Sequence, residues 1–446
     1  MRVAALVLLG LVLIACDGDD TSSGGGTGGT SATGGSGGSG GSGATTATGG
    51  AGGTGASGTG GSGGTTSGAY LVMPQAELEA LPVSGDAWDY LKARADEAVA
   101  ITLDAGSEAS PWLPNYNDSG AAQRVPARYL AAALVVASAF DGDKAPYRAA
   151  VAAALRHVMG SEEEASTDGT AAGDRLLATA RQLPAWVLSA DLIALDGSLT
   201  GTRTTPGSDS GTDWTATTFD DWLSSVRTKT IGTHGRWTNI TLTHENSAAN
   251  WGAHCAASRV AASLYLGDDS DVDRAATVLR GAMGDSNAYP AYPDGQNPQD
   301  GEGFQTTSSF DSSWACNYSA TVGGWRPINS GDCGAAMDGI VVEDMSRSAG
   351  AYPNYDDTGI GYAFETMAGL HLAALLLDRQ GVAAFSWSDD ALKRAMLWLD
   401  GEGQVPGSGS VRQHVPWITN HFYGTNLPTG EARMGRGFGF TDWLYP

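Results

Sequence analysis

Apolar residues recur three and four positions apart along most of the chain after residue 86. This spacing places them on one face of an α-helix, and Gly, Asp or Pro interrupts it where a helix should end. Alternation of apolar and polar residues, which would indicate strands, is scarce. The pattern predicts helices over residues 88–103, 126–140, 147–159, 174–195, 219–230, 247–266, 272–283, 362–379 and 389–399.

Short polar turns join some of these helices into close pairs. Residues 141–146 and residues 267–271 form such turns, and connections of this length join antiparallel neighbours. Hairpins repeated over so long a chain fit a ring better than a compact bundle, because a single core does not grow that large. We therefore expect an all-α fold, an α/α toroid whose barrel of antiparallel helix hairpins is complete or incomplete.

One long stretch, residues 283–362, interrupts the helices. It carries many aromatic residues among Gly, Asn, Asp and Ser, and a loop this long in a compact domain is usually functional or disordered. So many aromatic residues favour an ordered loop over a disordered one. Because Trp and Tyr faces can cover the C–H faces of sugar rings, Trp314 and Trp325 are candidate sugar-binding residues. The alternative is that the aromatics only pack the loop onto the helices.

The charge of the chain is strongly negative, with 49 Asp and Glu against 25 Lys and Arg and a formal net charge of −24. This field repels phosphates, which excludes a sequence-independent nucleic-acid binder. It also argues against a polyanionic substrate. Physiological salt screens it within about 8–10 Å, so a local cluster of Arg residues can still hold an acidic sugar.

Residues 17–68 consist almost entirely of Gly, Ser, Thr and Ala. Such a segment buries too little apolar surface to offset the entropy of ordering, and it predicts a flexible, disordered tether. The chain then divides into a signal segment over residues 1–16, the tether over residues 17–68 and one catalytic domain over residues 69–446.

The N-terminus has the features of an export signal. Arg2 precedes an apolar run that is shorter than the roughly 20 residues of a membrane-spanning helix. The tetrapeptide Leu13-Ile14-Ala15-Cys16 resembles a bacterial lipobox, which implies acylation of Cys16 and a lipid-anchored protein of the cell envelope, either periplasmic or on the cell surface. An ordinary secretory signal is the alternative. No other long apolar run is evident, so no transmembrane helix is expected.

The other cysteines suit an exported protein. Cys316 and Cys333 flank a stretch rich in Gly, Asn and Ser, where a disulfide would restrain irregular backbone. Cys255 lies within an apolar helical pattern, which is typical of a buried thiol rather than a catalytic one.

Two blocks of the domain resemble one family. Residues 244–259, with the sequence HENSAANWGAHCAASR, resemble the Asn-Asn-His-x-x-Trp helix start of alginate lyases with α/α toroid folds. Downstream, Glu343 to Arg347 look like that family's Glu-x-x-x-Arg segment, and Tyr362-Ala363-Phe364 looks like its Tyr-Ala-Leu. The resemblance implies a polysaccharide lyase that cleaves alginate or a related uronate-containing polysaccharide by β-elimination.

Two catalytic positions of the family are not filled in register. Ala248 stands where the family has its catalytic His, and Gly359 stands where it has its catalytic Tyr. Nearby residues can substitute: on a single helix, Asn246, Asn250 and His254 would share one face.

The reaction defines which residue types are needed. β-Elimination on a uronate requires that the carboxylate is neutralised, that the C5 proton is removed and that the bridging O4 is protonated. An amide or guanidinium suits the first task, and His or Tyr suits the other two. The candidate catalytic residues are Asn246, Asn250, His254, Arg347 and Tyr355. His244 and His421 are the next candidates. The candidate substrate-binding residues are Arg181, Gln182, Trp251, Trp314, Trp325 and Tyr362.

Structural roles are the alternative for most of these residues. Asn246 could be a helix N-cap, Asn250 a surface amide, and His254 a core histidine. Arg347 could pair with Glu343 one turn earlier, and Arg259 is expected to be structural.

Two other functions remain open. A glycoside hydrolase on an α/α barrel would use a carboxylate pair, drawn from Asp300, Glu302, Asp311 and Glu343. A non-catalytic surface glycan-binding lipoprotein would need only the aromatic loop.

No metal or cofactor is expected. Asp269, Asp271 and Asp273 alternate as in a Ca²⁺ loop, but glycine and the distal Glu are missing. We interpret these residues as a helix N-terminus, which favours negative charge.

Overall fold

The computed structural model describes residues 70–101, 125–162, 173–201, 217–231, 238–290, 312–316, 328–330, 333–348, 350–405, 414–431 and 438–446. These residues are mostly helical, at 63% helix and 2% strand, and they contain no sheet. The all-α class is therefore confirmed. The predicted signal segment and tether, with Cys16, lie outside the described residues.

Fourteen α-helices can be traced through the described residues. They are α1 (Gln75–Ala80), α2 (Asp86–Ala100), α3 (Val125–Ala137), α4 (Ala145–Val158), α5 (Gly173–Leu192), α6 (Phe219–Val226), α7 (Ile240–Asn246), α8 (Asn250–Leu266), α9 (Asp269–Ala282), α10 (Val342–Met345), α11 (Asp357–Asp378), α12 (Trp387–Gly401), α13 (Val415–Tyr423) and α14 (Thr441–Leu444).

Four long helices form a row through the core. In the order α3, α5, α8 and α11, each helix packs against the next. Outer helices cover this row: α2 and α4 pack on α3, α7 and α9 on α8, and α12 and α13 on α11. Because α8 is covered from several sides, it is buried from Asn250 to Ser263. Side chains of neighbouring row helices therefore meet away from water.

Of the described helices, α11 alone is long and apolar enough to span a membrane. This apolar run was not identified from the sequence. Its most apolar window is 83% buried inside the fold, and α11 packs against α8, α10, α12 and α13. These contacts are those of a core helix.

A network of charged side chains fastens α7, α8 and α9. Arg259 of α8 is 2% exposed; its guanidinium donates to Glu245 Oε1 at 2.9 Å and to Asp271 Oδ1 at 2.6 Å. Arg227, which follows α6, also donates to Asp271. Asp268 is the N-cap of α9. Arg259 is thus a structural residue, and the alternating aspartates begin a helix.

The segment between α9 and α10 packs through its aromatic residues. Trp314 is fully buried, its ring meets Tyr352 edge-on at 5.4 Å, and its indole N–H donates to the carbonyl of Gly350. Because its ring faces are covered, Trp314 cannot stack on a sugar, and the expectation that it binds one is wrong. Cys316 and Cys333 form a disulfide with their Cα atoms 5.2 Å apart.

The disulfide should stabilise the domain measurably. Replacing both Cys316 and Cys333 by Ser is expected to lower the free energy of unfolding by about 2–3 kcal/mol, since a cross-link over 17 residues restricts the unfolded chain. Chemical denaturation of the variant and of the oxidised protein measures the difference. Equal midpoints would show that this bond contributes nothing to stability.

The two ends of the described chain meet. The indole N–H of Trp443 donates to the carbonyl of Pro82 at 2.7 Å, and the hydroxyl of Tyr445 donates to the carbonyl of Val72. Trp443 also packs on Trp88, with ring centroids 5.5 Å apart. The C-terminal residues thereby hold the first helices in place.

Candidate functional site

A small cleft lies where α5, α8 and α11 meet the C-terminal segment. Its interior volume is only about 20 Å³, so the cleft is a narrow recess. Its polar lining residues are Arg181, His254 and His414. The remaining lining residues are Ala180, Pro184, Ala257, Ala368, Gly369, Leu372 and Phe438.

Three side chains from three row helices meet at this cleft. Glu365 of α11 accepts from Arg181 of α5 at 3.0 Å and contacts Nε2 of His254 on α8 at 2.9 Å, both through Oε2. The side chains of Arg181, His254 and Glu365 are 3%, 9% and 13% exposed. A carboxylate so close stabilises an imidazolium at His254 and fixes the orientation of its ring.

The seam between α8 and α11 depends on Gly369. A Cβ at this position would lie 2.4 Å from the carbonyl carbon of Ala253 and 2.7 Å from the backbone nitrogen of His254. The two backbones can therefore approach closely only because residue 369 has no side chain. This contact sets the distance between His254 and Glu365.

Gly369→Ala should therefore destabilise the protein by about 1–3 kcal/mol, because the added methyl group forces α8 and α11 apart. The matched control is Gly401→Ala at the end of α12, where a Cβ meets nothing within 4 Å. The control should be neutral or gain up to about 1 kcal/mol from helix propensity. Thermal unfolding of both variants measures the contrast, and equal midpoints would contradict the close-approach argument.

A second cluster lies one helical turn away, at the N-terminus of α8. Asp344 of α10 accepts from the backbone N–H of Asn250 and from the hydroxyl of Thr366. Its other oxygen lies 3.9 Å from Nε of Arg347. Burial raises the pKa of Asp344 to about 7, against the opposing effects of Arg347 and Thr366. The structure thus brings the two blocks of the family resemblance together.

Arg347 and Tyr362 form a partly exposed pair beside this cluster. The guanidinium carbon of Arg347 lies 4.8 Å from the ring centroid of Tyr362, and the Arg347 side chain is 30% exposed. The ion pair of Arg347 runs to Asp344, whereas the alternative interpretation had assigned it to Glu343. Arg347 remains accessible to a ligand.

The predicted helix face of Asn246, Asn250 and His254 is not formed, because the chain breaks at residues 247–249. Asn246 ends α7 and donates to the carbonyl of Leu242 at 2.7 Å, so it is neither the N-cap of α8 nor a neighbour on its face. Asn250 is fully buried, and its amide has no hydrogen-bond partner among the described residues. The surface-amide interpretation of Asn250 is therefore wrong.

Other predicted residues lie away from the cleft. Tyr355 donates to Glu402 at 2.9 Å and packs on Trp398, so its contacts are with α12. Trp251 is 8% exposed and Gln182 is completely buried, and neither is among the described residues that line the cleft. Burial lowers the pKa of His244 well below its usual value.

The structure also locates Cys255 and His421, whereas four other candidate residues fall outside the described part of the chain. Burial raises the pKa of the Cys255 thiol, which fits an inert core residue. His421 is exposed, and its ring centroid lies 4.8 Å from that of Tyr445. The candidates Trp325, Asp300, Glu302 and Asp311 lie outside the described residues.

Three residues of the site were not predicted from the sequence. Glu365 stands three positions after Tyr362 on the predicted helix, so its helical spacing from a candidate residue was a usable signal. His414 and Phe438 carried none, because only the folded chain places the C-terminal segment at the cleft.

Comparisons of the chain with protein-family models, with curated proteins and with solved structures found no significant match. The functional argument therefore depends on the site itself.

Proposed function

We propose that this chain is a polysaccharide lyase that cleaves a uronate-containing polysaccharide, alginate or a related polymer, by β-elimination. The observation that carries the proposal is the meeting of Arg181, Glu365 and His254 at one cleft. At the cleft lie a guanidinium, which can bind a carboxylate, and an imidazole, which can transfer a proton. These are the groups that β-elimination requires.

The charges of the site suit an anionic sugar despite the acidic chain. Arg181 lines the cleft, and a guanidinium is the side chain best suited to bind a carboxylate. Arg347 supplies a second, more exposed cation at the neighbouring cluster. Because such contacts act at short range, the net charge of −24 does not determine whether the site can bind an anionic sugar.

A glycoside hydrolase is less well supported. Such an enzyme needs two carboxyl groups on opposite sides of the scissile bond. The described residues that line the cleft are Arg, His and apolar residues, and Glu365 is held behind them by two of these. A glycan-binding role without catalysis would rest on exposed aromatic faces, but Trp314 is buried.

We further propose that the domain is an α/α toroid. The row of α3, α5, α8 and α11 would be its inner layer, with the covering helices as its outer layer. The cleft would then lie at the inner layer, as expected for a site that receives a polymer in the centre of a ring.

A substrate panel tests the activity. The protein is incubated with alginate, glucuronan and a neutral polysaccharide, and the ultraviolet absorbance of the product is followed. A lyase creates a C4=C5 double bond conjugated with the carboxylate, whereas a hydrolase raises reducing ends without this absorbance. A rise on a uronate polymer alone supports the proposal. Chain cleavage without the absorbance would establish hydrolysis instead.

The location is proposed from the N-terminal sequence: the mature protein is anchored by a lipid on Cys16 and held outside the cytoplasmic membrane. Cys16→Ser should move the protein from the membrane fraction to the soluble extract, because no acyl chain can be attached. Immunoblots of the fractions measure this, with Cys255→Ser as the matched cysteine control. Unchanged membrane retention of Cys16→Ser would contradict the anchor.

A further inference from the structure

Three consecutive residues at the start of α12 adopt a left-handed backbone. Ser388, Asp389 and Asp390 have φ angles of 50°, 59° and 55°, and none of them is glycine. L-amino acids visit this region as single residues, because the Cβ atom crowds the following carbonyl oxygen. A run of three is therefore strained, and such strain persists only where the surrounding contacts impose it.

The contacts that impose it come from Arg394, which lies one turn farther along α12. Its guanidinium donates from Nη2 to the carbonyl of Ser388 and from Nε to the carbonyl of Asp389, each at 2.9 Å. Its Nη1 donates to the carbonyl of Asn329 at 2.6 Å and to the carboxylate of Asp338. The Arg394 side chain is 15% exposed. One guanidinium thus joins the strained turn to a second segment of the chain.

That second segment, residues 328–341, leads directly into α10. Its two ends pair through an antiparallel bridge between Ile328 and Val341. It also lies directly on the backbone of α12, because a Cβ at Gly339 would come within 2.3 Å of the carbonyl oxygen of Arg394. Arg394 is therefore the point at which α12 and the 328–341 segment meet.

The 328–341 segment helps to set the position of Arg347. α10 has only four residues, too few to be stable as a helix without packing. The bridge at Val341 holds its start, and the hydrogen bonds that Asp344 accepts from α8 and α11 hold its middle. Arg347 follows two residues after the end of α10. A shift of the 328–341 segment would therefore move Arg347 relative to α11.

We propose that Arg394 is a positioning residue of the candidate site: it holds the 328–341 segment and α10, and thereby places Arg347 where it can bind the carboxylate of the substrate. The role of Arg347 in this inference rests on the proposed function. The strained turn makes the arrangement sensitive to Arg394. Without the guanidinium, Ser388, Asp389 and Asp390 lower their energy by leaving the left-handed region, and the start of α12 rearranges.

Hydrogen exchange of the whole chain tests whether Arg394 holds α10. Arg394→Met should speed exchange of the backbone amides of residues 341–348 by about tenfold or more, because this part of the structure opens more often. Lys393→Met is the matched control, since this neighbouring cation of α12 pairs with Asp390 at 3.7 Å, and its exchange should match wild type. Arg394→Lys takes the place of Arg394→Met, with the same expectation, if the latter does not fold, because an ammonium lacks the fork of a guanidinium.

Glycine substitutions separate this role from general packing. Glycine adopts the left-handed region without strain, so the triple change Ser388→Gly, Asp389→Gly and Asp390→Gly removes the tendency of the turn to rearrange. In the Arg394→Met background it should restore much of the slow exchange of residues 341–348. The loss of a packed side chain alone would not be reversed in this way.

The effect on the reaction is measured as kcat/KM on the active uronate polymer. Arg394→Met should lower kcat/KM by about 10²-fold, which a remote mutation can cause by misplacing a group by about 1 Å. In an Arg347→Ala background the same substitution should have little further effect, because both changes then remove one interaction. Losses that simply add would show that Arg394 does not act through Arg347.

The outcomes separate the two proposals. If wild type forms no unsaturated product from any polymer, the lyase function fails and the role of Arg347 fails with it, whereas hydrogen exchange still decides whether Arg394 positions α10. If wild type is active and exchange of residues 341–348 is the same in Arg394→Met as in wild type, this inference alone fails.

Discussion

Glu365→Gln should reduce turnover of the uronate polymer by about 10²–10⁴-fold while the fold is kept. The amide has the shape of the carboxylate, but it cannot stabilise an imidazolium or balance Arg181. Glu365 acts through its neighbours, so it is a positioning residue. A buried histidine that loses its orienting carboxylate loses both its ring orientation and its preferred proton state.

The measurement is kcat/KM across pH with the ultraviolet assay. Besides the lower rate, the alkaline limb should move to lower pH, because the imidazolium of His254 is no longer stabilised. A purely structural role would leave that limb in place. Glu402→Gln is the matched control: this side chain is exposed and accepts from Tyr355, so its rate should be unchanged. A wild-type profile for Glu365→Gln would remove Glu365 from the site.

Arg259→Met should lower the free energy of unfolding by about 1.5–3 kcal/mol, since Glu245 and Asp271 lose the buried partner that they share and keep only Arg274 and Arg227. Methionine fills similar volume, so the loss is mainly one of charge and hydrogen bonds. Arg280→Met is the control, because Arg280 and Asp285 form an exposed pair, which typically contributes less than about 1 kcal/mol. Urea denaturation measures both changes.

Arg259→Met should also change how the stability of the protein depends on pH in acid. Burial alone would raise the pKa of Asp271, but hydrogen bonds and charge from Arg259 lower it to about 2, against 3.8 in the unfolded chain. Stability from this shift is present above about pH 4 and lost as the pH falls through about 2. Arg259→Met should flatten that part of the stability profile. An unchanged acid slope would show that Arg259 does not hold the carboxylate.

Helix positions could be predicted where the pattern is local. The spacing of apolar residues located α2, α3, α4, α5 and α9 to within a few residues. The break between α7 and α8 was missed because Ser247, Ala248 and Ala249 are not helix-breaking residues. The start of α8 is held by Asp344, almost a hundred positions later, and a local pattern contains no information about such a contact.

The residues of the candidate site, like the helices, could be predicted only where the signal is local in the sequence. Arg181 and His254 could be selected singly by residue type, but their link through Glu365 spans 111 residues for His254. The burial of individual side chains could not be predicted from the sequence either. Trp314 and Trp251 have the composition of sugar-binding residues, yet their neighbours cover both. Whether an aromatic ring faces water is decided by packing.

The bonds that join the ends of the domain determine when it can finish folding. Tyr445 holds the carbonyl of Val72 across 373 residues, and closing so large a loop carries an entropic cost. The ribosome makes these C-terminal residues last, so the first helices reach their final packing only after the whole chain has been released.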